Sequence, residues 1–168
     1  DNFIQRGREK KLYENLILDA KRANMNMLRV WGGGLYEDDH FYDLCDESGI
    51  LVWQDFAFAC KPTPDYENFI DNVKNEVEDN IIRLRNHPSL CIWVGNNEIE
   101  EGWLYWEFKK LCPHLKNNYV KIFEKIIPEL VNKLDGIRPY WPSSPSSGGN
   151  FDGPQSPDRG DSHFWDVW

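Results

Sequence analysis

Leu90-Cys91-Ile92-Trp93-Val94-Gly95-Asn96-Asn97-Glu98 is the stretch on which the reading of the fold turns. Its first five residues are nearly all apolar. That pattern fits a strand covered on both faces, as in a parallel sheet. Polar side chains then follow one glycine without a spacer, so the carboxyl of Glu98 stands at the end of a buried strand. Upstream, Phe69, Val73, Val77, Ile81 and Leu84 repeat at steps of four and three. This amphipathic stripe predicts a helix over residues 65–85, ended by His87-Pro88-Ser89. Further back, residues 50–53 form a second buried strand running into Gln54-Asp55-Phe56. A helix over 39–48 precedes it, capped by Asp38 or Asp39, with Phe41, Leu44 and Cys45 facing inward and Gly49 closing it. Residues 27–31 make another strand candidate. The helix before it spans 8–23, with Leu12, Leu16, Ile17 and Ala20 on its apolar face.

Downstream, Ile122, Phe123, Ile126, Ile127 and Leu130 predict a helix over 119–134, with Pro128 as a kink point. Residues 139–141 are a short strand candidate. Residues 142–149, rich in Pro, Ser and Gly, read as a loop and by composition as the least ordered part. Residues 161–165 read as a last strand. Strand–helix alternation of this kind defines a parallel α/β architecture. A doubly wound sheet and a barrel both alternate so. The strand candidates, however, carry unusual polar groups (Arg29, Asp55, Glu98 and His163), and chemistry drawn from several strand ends favours the barrel. The expected fold is a partial (β/α)8 TIM barrel, roughly its second to sixth strands. Residues 1–168 then form one fragment of a catalytic barrel.

The charge balance narrows the partners. The net charge is -9 and the acidic residues are spread along the chain. A nucleic-acid partner wants a basic surface, and none is expected here. No run of eighteen apolar residues exists to span a membrane, and residues 1–6 lack the apolar core of a signal peptide. A lysosomal, periplasmic or secreted location would follow if the parent protein carries a signal peptide. Aromatic residues make up 14% of the chain, with eight Trp. They serve core packing or, alternatively, a sugar site, where flat rings cover the apolar faces of pyranoses. The spacing of Cys45, Cys60, Cys91 and Cys112 matches no zinc or redox motif, and Cys91 reads as a small buried hydrophobe. His87 and His114 stand isolated, so neither a metal nor a cofactor is expected. Gly32-Gly33-Gly34 lacks the lysine and serine of a phosphate loop.

Glu98 is the candidate catalytic residue. Burial at a strand end is expected to raise its pKa and keep it protonated near neutrality. A general acid needs that state to protonate a departing glycosidic oxygen. The alternative is a surface turn and helix cap. The neighbouring amide of Asn97 can hold a sugar hydroxyl. Asp55 is the other carboxylate at a well-formed strand end, and Asp161 is less well placed. Neither suits a nucleophile, so the carboxylate pair is incomplete. Arg29, inside an apolar strand, is expected at the pocket. Trp31 and Trp106 are better stacking platforms than Trp53, and Trp165 follows His163 on the last strand.

Several blocks resemble one family. Residues 24–34 (Asn-Met-Asn-Met-Leu-Arg-Val-Trp-Gly-Gly-Gly), 41–50, 52–60, 87–98 and 160–165 are similar to the β-mannosidases of glycoside hydrolase family 2. The Asn-Asn-Glu form favours mannosidases over β-galactosidase and β-glucuronidase relatives. The resemblance implies a retaining hydrolase of terminal β-D-mannosidic bonds. Exo-β-glucosaminidase, endo-β-mannosidase and a non-catalytic carbohydrate-binding fragment are the alternatives. It makes Glu98 the general acid/base at the end of the fourth barrel strand and puts Asn97 near the sugar 2-hydroxyl. Arg29, Trp31, Asp55, Trp106, His163 and Trp165 become substrate-binding residues. The family's nucleophilic glutamate lies on a seventh strand, beyond this segment. The remaining strands and flanking β-domains of a parent chain are then needed, with a β-mannoside or related glycan as ligand.

Overall fold

The computed structural model describes residues 10–166. The start of the first predicted helix, residues 8 and 9, lies outside them. Four parallel strands form one sheet: β1 (Met27–Val30), β2 (Leu51–Asp55), β3 (Leu90–Val94) and β4 (Tyr140–Trp141). They lie side by side in sequence order. Sequential order without a switch point is the winding of a barrel wall rather than of a doubly wound sheet.

The helix α1 (Lys10–Arg22) precedes β1, and two long helices return the chain between the next strands: α2 (Asp39–Ser48) before β2 and α3 (Glu67–Leu84) before β3. α2 starts where the Asp38 carboxylate accepts the His40 amide and stops at Gly49, whose φ of 67° is the left-handed value a glycine tolerates. α3 buries Ile70, Val73, Val77, Ile81 and Leu84. The strip on α1 is shifted by one residue from the expected one. Tyr13, Ile17 and Ala20 are buried, whereas Leu16 is half exposed. Tyr13 wins the inner position because its ring packs on Phe41 while its hydroxyl reaches Glu37 at 2.7 Å.

After β3 come two short helices that no periodicity announced, α4 (Ile99–Tyr105) and α5 (Phe108–Leu111). The predicted helix over 119–134 is α6 (Lys116–Lys121) and α7 (Ile127–Leu134), joined by a π-helical turn at Ile122–Ile126. Pro128 explains the turn: it offers no N–H to the carbonyl four residues back, and its ring crowds that carbonyl.

The sheet's two faces differ. Val30, Gln54 and Trp93 stand in register on the helix side and are buried. Trp93 stacks on Phe56 with ring centroids 5.2 Å apart and donates to Asp135. Arg29, Trp53 and Ile92 form the matching row on the inner face and are half-buried. Cys91 is likewise only half-buried, its thiol bonded to the Val52 carbonyl.

Two expectations near the C-terminal end need correction. Residues 161–165 do not form a strand. Asp161 makes one antiparallel bridge to Ser146, and the chain then runs irregularly. The barrel wall therefore has four described strands, not five. Residues 142–146 are a loop, as expected, but a buried one. Its serines explain this, because Ser143 bonds Asn96, Ser144 bonds Asp161 and Ser146 bonds Glu100. Hydroxyls that find buried partners make a serine-rich loop part of the core.

Candidate active site

Glu98 follows β3 and opens α4 with φ of 62° and ψ of 10°, in the left-handed region. A non-glycine residue there is strained by about 1–3 kcal/mol, a cost typical of functional positions. The backbone around it is fixed on both sides. Asn97 forms parallel bridges to Ala59 and to Ser144, and the Glu98 amide donates to the Ser144 carbonyl at 2.9 Å. Asn96 is structural: its carboxamide oxygen accepts the Ile99 amide and the Ser143 hydroxyl.

The side chain of Glu98 is nearly buried, at 10% exposure. Its Oε1 lies 2.7 Å from Nδ1 of His163, and the Cys60 thiol lies 3.4 Å from Oε2. The expectation of a raised pKa is overturned. The hydrogen bond from His163 is the largest influence and holds the Glu98 carboxyl below its ordinary value, outweighing burial. Strand burial was visible in the sequence, but the imidazole arriving from 65 residues away was not.

His163 continues the network. Its Nε2 is 3.0 Å from the Ser144 hydroxyl, which is 2.6 Å from Asp161 Oδ2. Asp161 Oδ1 also accepts the Trp141 indole and the Ser146 amide. Arg29 Nη1 approaches the same Nε2 at 3.2 Å, and its Nη2 donates to Asn97 Oδ1 at 3.0 Å.

Asp55 lies beneath the pocket rather than in it. Its carboxylate is wholly buried and accepts from Arg29 Nε and Nη2, the Gly32 amide and the Trp53 indole. Burial raises its pKa; the Arg29 guanidinium, the Gly32 amide and the Trp53 indole oppose that. All these neighbours are donors only, so a proton on either oxygen would find no acceptor. We therefore read the pair as ionised, with Asp55 a strut that aims Arg29. Gly32 is required here, since a Cβ would fall 2.5 Å from the Phe58 carbonyl oxygen.

A cavity of about 400 Å³ opens over this network, lined by Arg29, Trp31, Asn97, Glu98, Ser162, His163, Phe164 and Trp165. The structure thus brings together six predicted residues: Glu98, Arg29, Trp31, Asn97, His163 and Trp165. Trp31 is 46% and Trp165 59% exposed, so the lining of the cavity includes two accessible indoles. Trp106 is not among the lining residues. It sits at the end of α4, edge-to-face with Phe108.

Glu100 was missed by sequence reasoning. It is fully buried behind Glu98, bonds the Ser146 hydroxyl at 2.6 Å, and is pushed by burial to about 7. The i, i+2 spacing from Glu98 at the start of a helix was the available signal. His87 is also less isolated than expected, with Nδ1 at 2.7 Å from Asp46. Among the described residues, two groups of side chains are close enough to surround a cation: Glu98, Glu101 and His163, and Asp43, Asp46 and His87. In each, a direct imidazole–carboxylate hydrogen bond already accounts for the proximity.

A buried carboxyl at the C-terminal end of a barrel strand, beside a cavity flanked by indoles, is the arrangement of a glycoside hydrolase barrel. Comparison with known proteins makes the class more specific. No family profile matches the chain. The β-mannosidase of Rattus norvegicus is 43% identical over 169 residues, covering 94% of this chain and 19% of that protein. The β-mannosidase of Capra hircus is 46% identical, over 90% of this chain and 18% of that protein. The crystal structure of β-D-mannosidase from Dictyoglomus thermophilum superposes with a TM-score of 0.83 at 48% identity, over 95% of this chain and 19% of that one. The chain is homologous to one segment of the β-mannosidases, within the glycoside hydrolase family 2 clan. It spans about a fifth of the length of these relatives.

Proposed function

We propose that this segment supplies the acid/base half of a retaining β-mannosidase site within a longer polypeptide. One observation carries the reading: Glu98 follows β3 at the start of α4, with its side chain lining a cavity that also exposes two indoles. The identity to β-mannosidases over nearly the whole segment supports a β-mannoside as the sugar. Retaining hydrolysis uses two carboxyl groups about 5–5.5 Å apart. The nucleophile attacks the anomeric carbon while the acid/base protonates the departing oxygen. The acid/base then takes a proton from water as the glycosyl–enzyme bond is cleaved. Glu98 fits the second role. Among the described residues no other carboxylate lines the cavity, so the nucleophile is assigned to another part of the longer protein.

Asn97, bonded to Arg29 through its oxygen, presents its amide beside Glu98 and suits a contact to the sugar hydroxyl next to the anomeric carbon. Trp31 and Trp165 suit the apolar faces of the sugar. The test is Glu98→Gln in the full-length protein. Turnover of a β-mannoside with a poor leaving group should fall about 10²–10⁴-fold. Unchanged turnover refutes the assignment.

A further inference from the structure

Cys60 touches both Glu98 and Asn97, yet it is not among the residues that line the cavity. Its Sγ lies 3.4 Å from Glu98 Oε2 and 3.3 Å from Asn97 Nδ2. Arg29 fixes the direction of these bonds. A guanidinium carries only donors, so the Asn97 atom that meets Arg29 Nη2 at 3.0 Å is the carboxamide oxygen. The amide nitrogen therefore faces Cys60 and donates to its sulfur. The hydrogen on the sulfur is left for the Glu98 carboxylate. A thiolate does not fit, since it would face that carboxylate with no hydrogen between them. Burial, and then the Glu98 carboxylate, push the Cys60 thiol up.

The backbone holds the sulfur in place. Cys60 lies on the loop after β2, and its amide donates to the Asn97 carbonyl at 2.9 Å. The Asn97 amide donates in return to the Phe58 carbonyl, also at 2.9 Å. Between these bonds Cys60 adopts φ of 57°, a left-handed conformation that a non-glycine residue keeps only when its surroundings impose it.

We propose that Cys60 is a positioning residue, whose thiol holds the Glu98 carboxylate and the Asn97 carboxamide in fixed relation to each other. This rests on the reading of Glu98 as acid/base. Glu98 is then gripped at both oxygens, by His163 at Oε1 and by Cys60 at Oε2. Asn97 is gripped at both ends of its carboxamide, by Arg29 at the oxygen and by Cys60 at the nitrogen. Cys60 is the group common to the two grips. A thiol is a weak donor and a weak acceptor, and these neighbours ask one atom to be both. A hydroxyl offers the same pair of roles, whereas a methyl group offers neither.

The experiment is kcat/KM for Cys60→Ala and Cys60→Ser in the full-length protein, on a β-mannoside with an alkyl leaving group and one with a dinitrophenyl leaving group. The alkoxide must be protonated to depart, but the dinitrophenolate need not be. Cys60→Ala should lose roughly tenfold on the alkyl substrate and at most about threefold on the dinitrophenyl one. Cys60→Ser should recover most of the difference. Partial unfolding lowers both rates by one factor, so the ratio between substrates stays informative even if a variant is less stable. Equal losses on both substrates, no loss on either, or no recovery with serine would overturn the positioning role. Glu98→Gln, run on the same pair, should lose activity mainly on the alkyl substrate. If it does not, the acid/base reading itself fails; if it does while Cys60→Ala is unselective, only the role of Cys60 fails.

Discussion

Replacing Asp55 by Asn tests whether the site is built from its strut upward. The carboxylate is wholly buried and accepts from three groups: the Arg29 guanidinium, the Gly32 amide and the Trp53 indole. An amide keeps the shape but loses the charge, and one of its two ends turns from acceptor to donor. Removing one partner of a buried ion pair costs about 3–5 kcal/mol. The Arg29 side chain is 28% exposed and can recruit water, so about 3 kcal/mol is the expected loss of stability. Arg29 would also release Asn97 and its approach to His163, both of which line the cavity. About 2–3 kcal/mol lost from the transition state corresponds to roughly 30- to 150-fold in kcat/KM. The assay is kcat/KM and the urea midpoint of the full-length protein for Asp55→Asn, Arg29→Met and both together. If the pair acts as a unit, the double variant loses less than the sum of the single losses. Additivity within about 0.5 kcal/mol would refute the strut.

Other consequences are open to direct measurement. Glu100 is raised from 4.5 to about 7 in the folded protein, so its contribution to stability is complete below about 4.5 and lost as pH rises to about 7. Glu100→Gln should flatten that part of the stability profile, read as thermal midpoints between pH 4 and 8; an unchanged slope counts against a buried neutral carboxyl. Trp31→Ala should raise KM for a β-mannoside by roughly tenfold at most, from about 0.5–1.5 kcal/mol of ring contact, and an unchanged KM would remove Trp31 from the sugar site. Gly95→Ala would place a methyl group 2.3 Å from the Pro142 carbonyl oxygen and should cost about 1–3 kcal/mol of stability, read as a lower urea midpoint; a wild-type midpoint would show that β3 and β4 can part freely. The polypeptide of residues 1–168 alone, with Leu35 and Ile137 more than half exposed, should associate in light scattering and hydrolyse no mannoside. A monodisperse, active monomer would contradict that.

The strands and long helices were legible because their patterns are local. β3 is an apolar run, α3 repeats at steps of three and four, and α2 carries its own Asp and Gly punctuation. What escaped depends on contacts distant in sequence. The loop at 142–146 looks solvated by composition, and only its bonds to Asn96, Glu100 and Asp161 show why it is buried. Asp55 looked like a pocket carboxylate because it ends a strand. Its true surroundings are fixed by Arg29, Gly32 and Trp53, two of them on the neighbouring strand and the turn beyond it. The protonation of Glu98 was misjudged for the same reason. Burial can be inferred from a run of apolar residues, but a hydrogen-bond donor 65 positions later cannot. Trp106 follows α4 closely in sequence, yet the short helix turns its ring onto Phe108.

The bridges of Asn97 to Ala59 on one side and Ser144 on the other have a mechanical consequence. Three neighbouring strand extensions are laced into one stiff deck, with Glu98 mounted directly on it. A segment tied on both flanks cannot swing as a gate. The other rim of the cavity is the irregular stretch carrying Ser162, Phe164 and Trp165, which no such bridges tie down among the described residues. The Glu98 carboxylate is thus carried by the braced rim of the cavity, opposite an unbraced one.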